Sequence, residues 1–229
     1  IHPGLLHSSS DLERIRVAVD LKKGPIFDGF QVLENSPYSK EDYRMRGPFP
    51  KWGRAPNIRK GETESDALAA YQNALMWAIT GRKAHADKAI HILNSWIGSL
   101  KKVTGIDGVL ASGLQGFMFA NAAELLRHTG SGWAEEDARR CEKWFKDAWD
   151  PTIEHYAYFA NGNWETAALQ TRMAIAIYCN DRKMFEKTVR YSIAGAGNGS
   201  IPHMIVSPTG QCQETTRAQL FAQLGIGLL

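Results

Sequence analysis

Cysteine is scarce and unpatterned in this chain of 229 residues. Cys141, Cys179 and Cys212 stand far apart, odd in number and without a C-x-x-C spacing, which excludes a disulfide framework and leaves at most one bridge. Charge of one sign is lacking as well. The 27 Lys and Arg against 24 Asp and Glu give a formal net charge of +3, compatible with an anionic ligand but too weak for a nucleic-acid surface. Long apolar runs are also missing: Arg, Lys or Asp interrupts each candidate helix short of the roughly 18 residues of a membrane span, so no membrane partner is expected. The first residue is Ile1 rather than Met, compatible with a removed secretion signal or an arbitrary boundary. A secreted or periplasmic location is the working expectation.

What is present is a helical pattern. A hydrophobic content of 44% with 22% charged residues is enough for a packed core. Ser10 before "DLERIRVAVDLKK" offers an N-cap, and Pro25 opens a second, shorter helix to about Glu34. Residues 35–61 then break the pattern with prolines, glycines, the aromatics Tyr43, Phe49 and Trp52, and the cations Arg44, Arg46, Lys51, Arg54, Arg59 and Lys60. A loop of that length in a compact domain usually has a task. It reads either as an arm over an anionic chain or as a solvated surface loop.

Beyond it, helices pair across short turns at Gly81, Gly130 and Asn180, a spacing of about 50 residues that marks a repeated helical hairpin. The first member of each pair is Ala-rich and apolar nearly all round, while the second carries charge on one face. An inner helix followed by an outer one predicts an all-α fold, an open solenoid or an incomplete (α/α) toroid, as a single domain over residues 1–229. Near the C-terminus, "IPHMIV" and "GQCQE" flank Ser207-Pro208-Thr209-Gly210. This predicts a short β-hairpin-like loop with His203 and Gln211 to Glu214 on extended pieces before a last helix carrying Arg217.

The stretch "NGNWETAALQ" places Asn161, Asn163 and Glu165 at the mouth of an otherwise apolar inner helix. Either these polar groups meet a ligand, or Asn163 merely N-caps the helix while Asn161-Gly162 makes a turn. His85 and His91 read as surface residues of an outer helix. His2 and His7 lack ligand spacing with any other Cys or His, so no metal or other cofactor is expected.

The ordered set "HPGLLHSSSDLERI", "AAYQNALMWAITG", "GLQGFMFANAAELLR", "NGNWE" and "AGNGSIPH" followed by "GQCQETTRAQ" resembles the alginate-lyase-like polysaccharide lyases, closest to their alginate and glucuronan lyase branch. That resemblance implies an (α/α)-toroid enzyme that cleaves a β-1,4-linked polyuronate by β-elimination. The chemistry requires the uronate carboxylate to be neutralised before a base can remove the C5 proton, and an acid to protonate the leaving oxygen.

By resemblance, Asn163 matches the neutralising asparagine and His203 is the candidate base, because Trp164 occupies the position where a histidine stands in the best-known branch. Gln211, Glu214 and Arg217 match a substrate-binding "Q-x-Q-E-x-x-R" block, although an ion pair between Glu214 and Arg217 explains them as well. Trp164, Tyr158, Arg54 and Trp52 complete the candidate substrate-binding set, although packing is the plainer reading of both Tyr156 and Tyr158. Ala218 and Phe221 depart from the acid and histidine common among relatives, and the family's remaining Arg and Tyr are expected past Leu229, where the chain reads as cut mid-hairpin. Two other readings stay open: a glycoside hydrolase using Glu165 and Glu214 as acid and base, and a non-catalytic helical-repeat binder of glycan or protein.

Overall fold

The computed structural model describes residues 2–229. Helix accounts for 65% of the chain and strand for 4%, so the all-α expectation holds. By contacts the described residues fall into two units, the first formed by residues 2–50, 59–100 and 118–144, the second by residues 51–58, 101–117 and 145–229.

In the first unit, α1 (Ser9–Asp20) and α2 (Gly24–Asn35) precede the hairpin of α3 (Lys60–Thr80) and α4 (Lys83–Ser99). The N-cap of α1 is Ser8, not Ser10: Ser8 accepts from the Asp11 amide and Asp11 reaches back, closing a capping box. The α3–α4 turn is made at Gly81, whose left-handed φ of 68° suits glycine and whose amide donates to the Trp77 carbonyl. The inner and outer roles follow the sequence pattern. α3 is buried on most sides through Ala67, Ala70, Asn73, Ala74, Met76 and Ala78, whereas α4 buries a single stripe of Ala86, Ala89, Leu93 and Trp96.

Buried polar groups fix the rest of this unit. Asp66, fully buried, accepts from Tyr43 Oη (2.9 Å), the Arg46 and Gly47 amides (2.9 and 2.8 Å) and Trp96 Nε1 (3.0 Å). Four donors on one carboxylate fasten residues 43–47 of the long loop to α3 and α4. His85 is not a surface residue. It is 2% exposed, and its Nδ1 lies 2.9 Å from Asn73 Oδ1. His91 is exposed as expected.

Burial gives two histidines of this unit a shared pH dependence. Desolvation lowers the pKa of His7, which meets Tyr71 Oη at 2.7 Å, and that of His85, where Arg82 adds to the effect. The unfolded chain therefore binds protons more readily than the folded one below the ordinary value of 6.5. Their contribution to stability is complete above about pH 6.5 and is lost as the pH falls through the lowered native values. Urea melts at pH 7.5, 6 and 5 will show a falling midpoint, and His85→Asn, which keeps a donor toward Asn73, will flatten that slope.

The helix α5 (Gly108–His128) places Gly108 to Phe117 in the second unit and Met118 to His128 in the first. It corrects the expectation about apolar runs, because it is long and apolar enough to cross a membrane. However, 67% of its apolar window is buried within the protein, as befits an inner helix. The sequence also gave no hint that His2 would meet Glu124 and His128 of this helix, which it does.

The first unit closes with α6 (Glu135–Trp144). In the second unit, β1 (Lys51–Trp52) pairs in parallel with β2 (Lys102–Val103). A π-helical turn at Phe145–Trp149 leads through α7 (Asp150–Ile153) to the hairpin of α8 (Gly162–Tyr178) and α9 (Arg182–Ala194). Thirteen residues of α8 are buried but only Thr188 of α9, again an inner helix and an outer one. Then come α10 (Ile201–Met204), the antiparallel pair β3 (Ile205–Val206) and β4 (Gln211–Cys212), a 3-10 turn at Gln213–Thr216, and α11 (Gln219–Gly227). The hairpin-like loop is present, but His203 stands on a helical turn, Glu214 on the 3-10 turn, and Arg217 before α11 rather than on it.

Candidate active site

The start of α8 is capped by residues some fifty positions downstream. Asn161 is the N-cap, yet its side chain makes no capping bond, and Asn163 lies inside the helix, so the reading of Asn163 as the cap is set aside. The first-turn amides, which have no partner within the helix, are met instead by the 3-10 turn: Gly162 N donates to Gln213 Oε1 (2.8 Å) and Asn163 N to Glu214 Oε1 (3.4 Å). A carboxylate at this end also complements the helix dipole. Glu214 is itself held by Arg217 at 2.7 Å, and the Arg217 guanidinium lies 3.7 Å over the Phe221 ring. The ion pair anticipated for these two residues exists, and its carboxylate is spent on the helix end.

Asn163 is nearly sealed, at 3% exposed. Its Nδ2 donates to the Phe221 carbonyl of α11 (3.1 Å), while its Oδ1 is buried with no hydrogen-bond partner. Gly225 of α11 lies so close that a Cβ there would stand 2.6 Å from Asn163 Oδ1 and collide with Met204. A Cβ on Gly162 would likewise strike the Met204 sulfur. Buried Met204 thus fills the space between the α8 start and α11, and exposed His203 precedes it on the same helical turn.

Glu165 is not at an open mouth. It is 0% exposed and accepts from Tyr191 Oη (2.9 Å) and Gly199 N (2.7 Å). Gly197 and Gly199 press so closely on it that neither position has room for a Cβ, which is why this loop reads "GAGNGS". Burial and then the bond to Glu165 push the Tyr191 pKa up to about 12, so its hydroxyl stays a donor at neutral pH. The Tyr191 ring centroid lies 4.3 Å from that of Tyr156, and Arg172 bonds Asp150 (2.9 Å) and the Glu154 carbonyl (2.8 Å) beneath it. Tyr156 is packing, as expected, whereas Tyr158 is 71% exposed.

Two candidates are corrected outright. Trp52 is 0% exposed, 6.3 Å between ring centroids from Trp149, and has no face left for a sugar. Arg54 is committed to Asp107 (2.9 Å), which also takes the Ala55 amide. Gln211 is exposed on β4, and its amide donates to the Thr209 hydroxyl in the turn.

The sequence missed Phe159. It is 64% exposed, at 5.8 Å from Tyr158 and 6.4 Å from Trp164, both edge-on, so three aromatics line the approach to α8. The dipeptide Tyr158-Phe159 just before an N-cap was the available signal. The capping role of Gln213, which lies within the quoted "Q-x-Q-E-x-x-R" block, was hidden because only tertiary folding brings it to α8.

The family model described as alginate lyase matches residues 35–207, well over half of the chain. The chain belongs to the alginate lyase family. It is accordingly an enzyme of a polysaccharide lyase family, with a polysaccharide as its substrate. The matched span contains Asn163, Trp164 and His203 but ends before Gln211, Glu214 and Arg217. No curated protein and no solved structure matches the chain.

Proposed function

We propose that this alginate lyase family member cleaves a β-1,4-linked polyuronate, alginate or glucuronan, by β-elimination at the start of α8. The observation that carries the reading is Asn163: a buried primary amide, at the N-terminal end of an inner helix, with an unpartnered Oδ1 and an NH₂ held only by a backbone carbonyl. Its Nδ2 is the donor type that neutralises a uronate carboxylate, which lowers the barrier to losing the C5 proton. For this to happen the substrate carboxylate takes the place of the Phe221 carbonyl, and α11 shifts accordingly. His203, exposed one residue from Met204, is the base in this reading. Tyr158, Phe159 and Trp164 offer flat faces for sugar rings, and Arg217, part-exposed, offers charge to a neighbouring carboxylate. A polysaccharide substrate favours a secreted or periplasmic enzyme in this reading.

The hydrolase alternative loses ground, since Glu165 and Glu214 are both buried and engaged with protein donors. The binder alternative draws support from the cover that α11 gives Asn163. Digestion of alginate, polyglucuronate and hyaluronan, followed by the ultraviolet absorbance of the unsaturated uronate product, tests all three. Absorbance should rise on at least one of the first two. Reducing ends without absorbance would mean hydrolysis, and binding with neither would mean a non-catalytic domain.

A further inference from the structure

His2, Glu124 and His128 meet in the first unit and share no residue with the candidate active site. Glu124 and His128 are one turn apart on α5, and His2 and Gly4 both meet Glu124. His2 Nδ1 stands 2.7 Å from Glu124 Oε1, and Gly4 N donates to the same oxygen at 2.9 Å. His128 Nε2 is 3.7 Å from Glu124 Oε2, and the ligand atoms of all three residues lie within 4.8 Å of one another.

What singles out the cluster is the unmet half of it. Glu124 is 1% exposed, yet its Oε2 has no hydrogen-bond partner, and neither has the buried Nε2 of His128. A sealed carboxylate oxygen facing a sealed imidazole nitrogen is costly unless something lies between them. Donors around a tetrahedral ion at roughly 2.1 Å lie about 3.4 Å apart, between the 2.7 Å of His2 to Glu124 and the 3.7 Å of His128 to Glu124. We propose that His2, Glu124 and His128 bind one divalent transition-metal ion of the zinc class, which fastens the N-terminal segment to α5. Two imidazoles and one carboxylate suit zinc and not magnesium or calcium, which prefer all-oxygen shells. The His2 and His128 rings stack at 4.3 Å with 16° between planes. Because imidazole lone pairs lie in the ring plane, metal entry must tilt one of the two part-exposed rings.

The test uses the untagged chain, stripped with EDTA and titrated with Zn²⁺ by calorimetry, with Co²⁺ as an optical probe and Mg²⁺ as control. One equivalent of Zn²⁺ should bind, Mg²⁺ should not, and Co²⁺ should give the intense visible bands of a tetrahedral site. His2→Ala, at the edge of the fold, and Glu124→Gln should each weaken Zn²⁺ binding by more than about 10-fold. No Zn²⁺ binding, or binding and Co²⁺ bands unchanged in His2→Ala, overturns the proposal. Because His2→Ala leaves α5 intact, the outcome does not depend on Glu124→Gln folding.

Discussion

Replacing Asn163 with alanine is expected to lower turnover on the preferred polyuronate by about 100- to 1000-fold, the usual loss when one preorganised donor to a developing anion is removed. The drop should fall mainly on kcat, because the amide matters most as the C5 carbanion forms and charge builds on the carboxylate. Asn163→Asp should fail at least as badly, since it is isosteric but sets a carboxylate against a carboxylate. The alanine variant is the one that separates chemistry from structure, because an aspartate would also set a buried carboxylate against the Phe221 carbonyl. In the resting state Asn163 donates only to the Phe221 carbonyl, and its Oδ1 bonds nothing, so the alanine variant forfeits one neutral hydrogen bond of about 1 kcal/mol and should stay folded by circular dichroism. Retention of more than half the parent rate by both variants would remove Asn163 from the mechanism.

The largest expected loss of stability belongs to Glu165→Ala. Its carboxylate holds two donors, Tyr191 Oη and Gly199 N, in a site with no solvent exposure. At roughly 1.5–3 kcal/mol for each bond to a carboxylate, removal costs about 3–6 kcal/mol, a large part of an ordinary domain's stability. Glu165→Gln keeps one acceptor oxygen and should lose about half as much, with the loop from Gly195 to Ser200 loosened. Guanidinium melts with activity measured on the same samples distinguish this from a catalytic role. A Glu165→Gln variant that is inactive at unchanged stability would revive the hydrolase reading.

The helical hairpins were legible because their information is local and periodic. Ala-rich α3 and α8 announce burial on most sides, and charged α4 and α9 announce one wet face. The apolarity of α5 was underestimated because its few charges, Glu124 and Arg127, sit near its end and leave a long clean window. Helix starts were less legible: the cap of α1 slipped from Ser10 to Ser8, since serines at 8, 9 and 10 all satisfy the pattern and only the reciprocal bond to Asp11 chooses among them.

By itself the sequence determined the class of fold and the alternation of inner and outer helices, patterns readable within a few dozen residues, and the family, readable from the order of its motifs along the chain. Tertiary structure alone decided which polar side chains are available. Trp52 went to the core, Arg54 to Asp107, Glu165 to a glycine loop and Glu214 to the end of α8, while His2 found Glu124 across 122 positions. The physical reason is that a buried polar group must find its partner wherever the fold supplies one. That partner is usually distant in the chain, so residue type and spacing cannot name it.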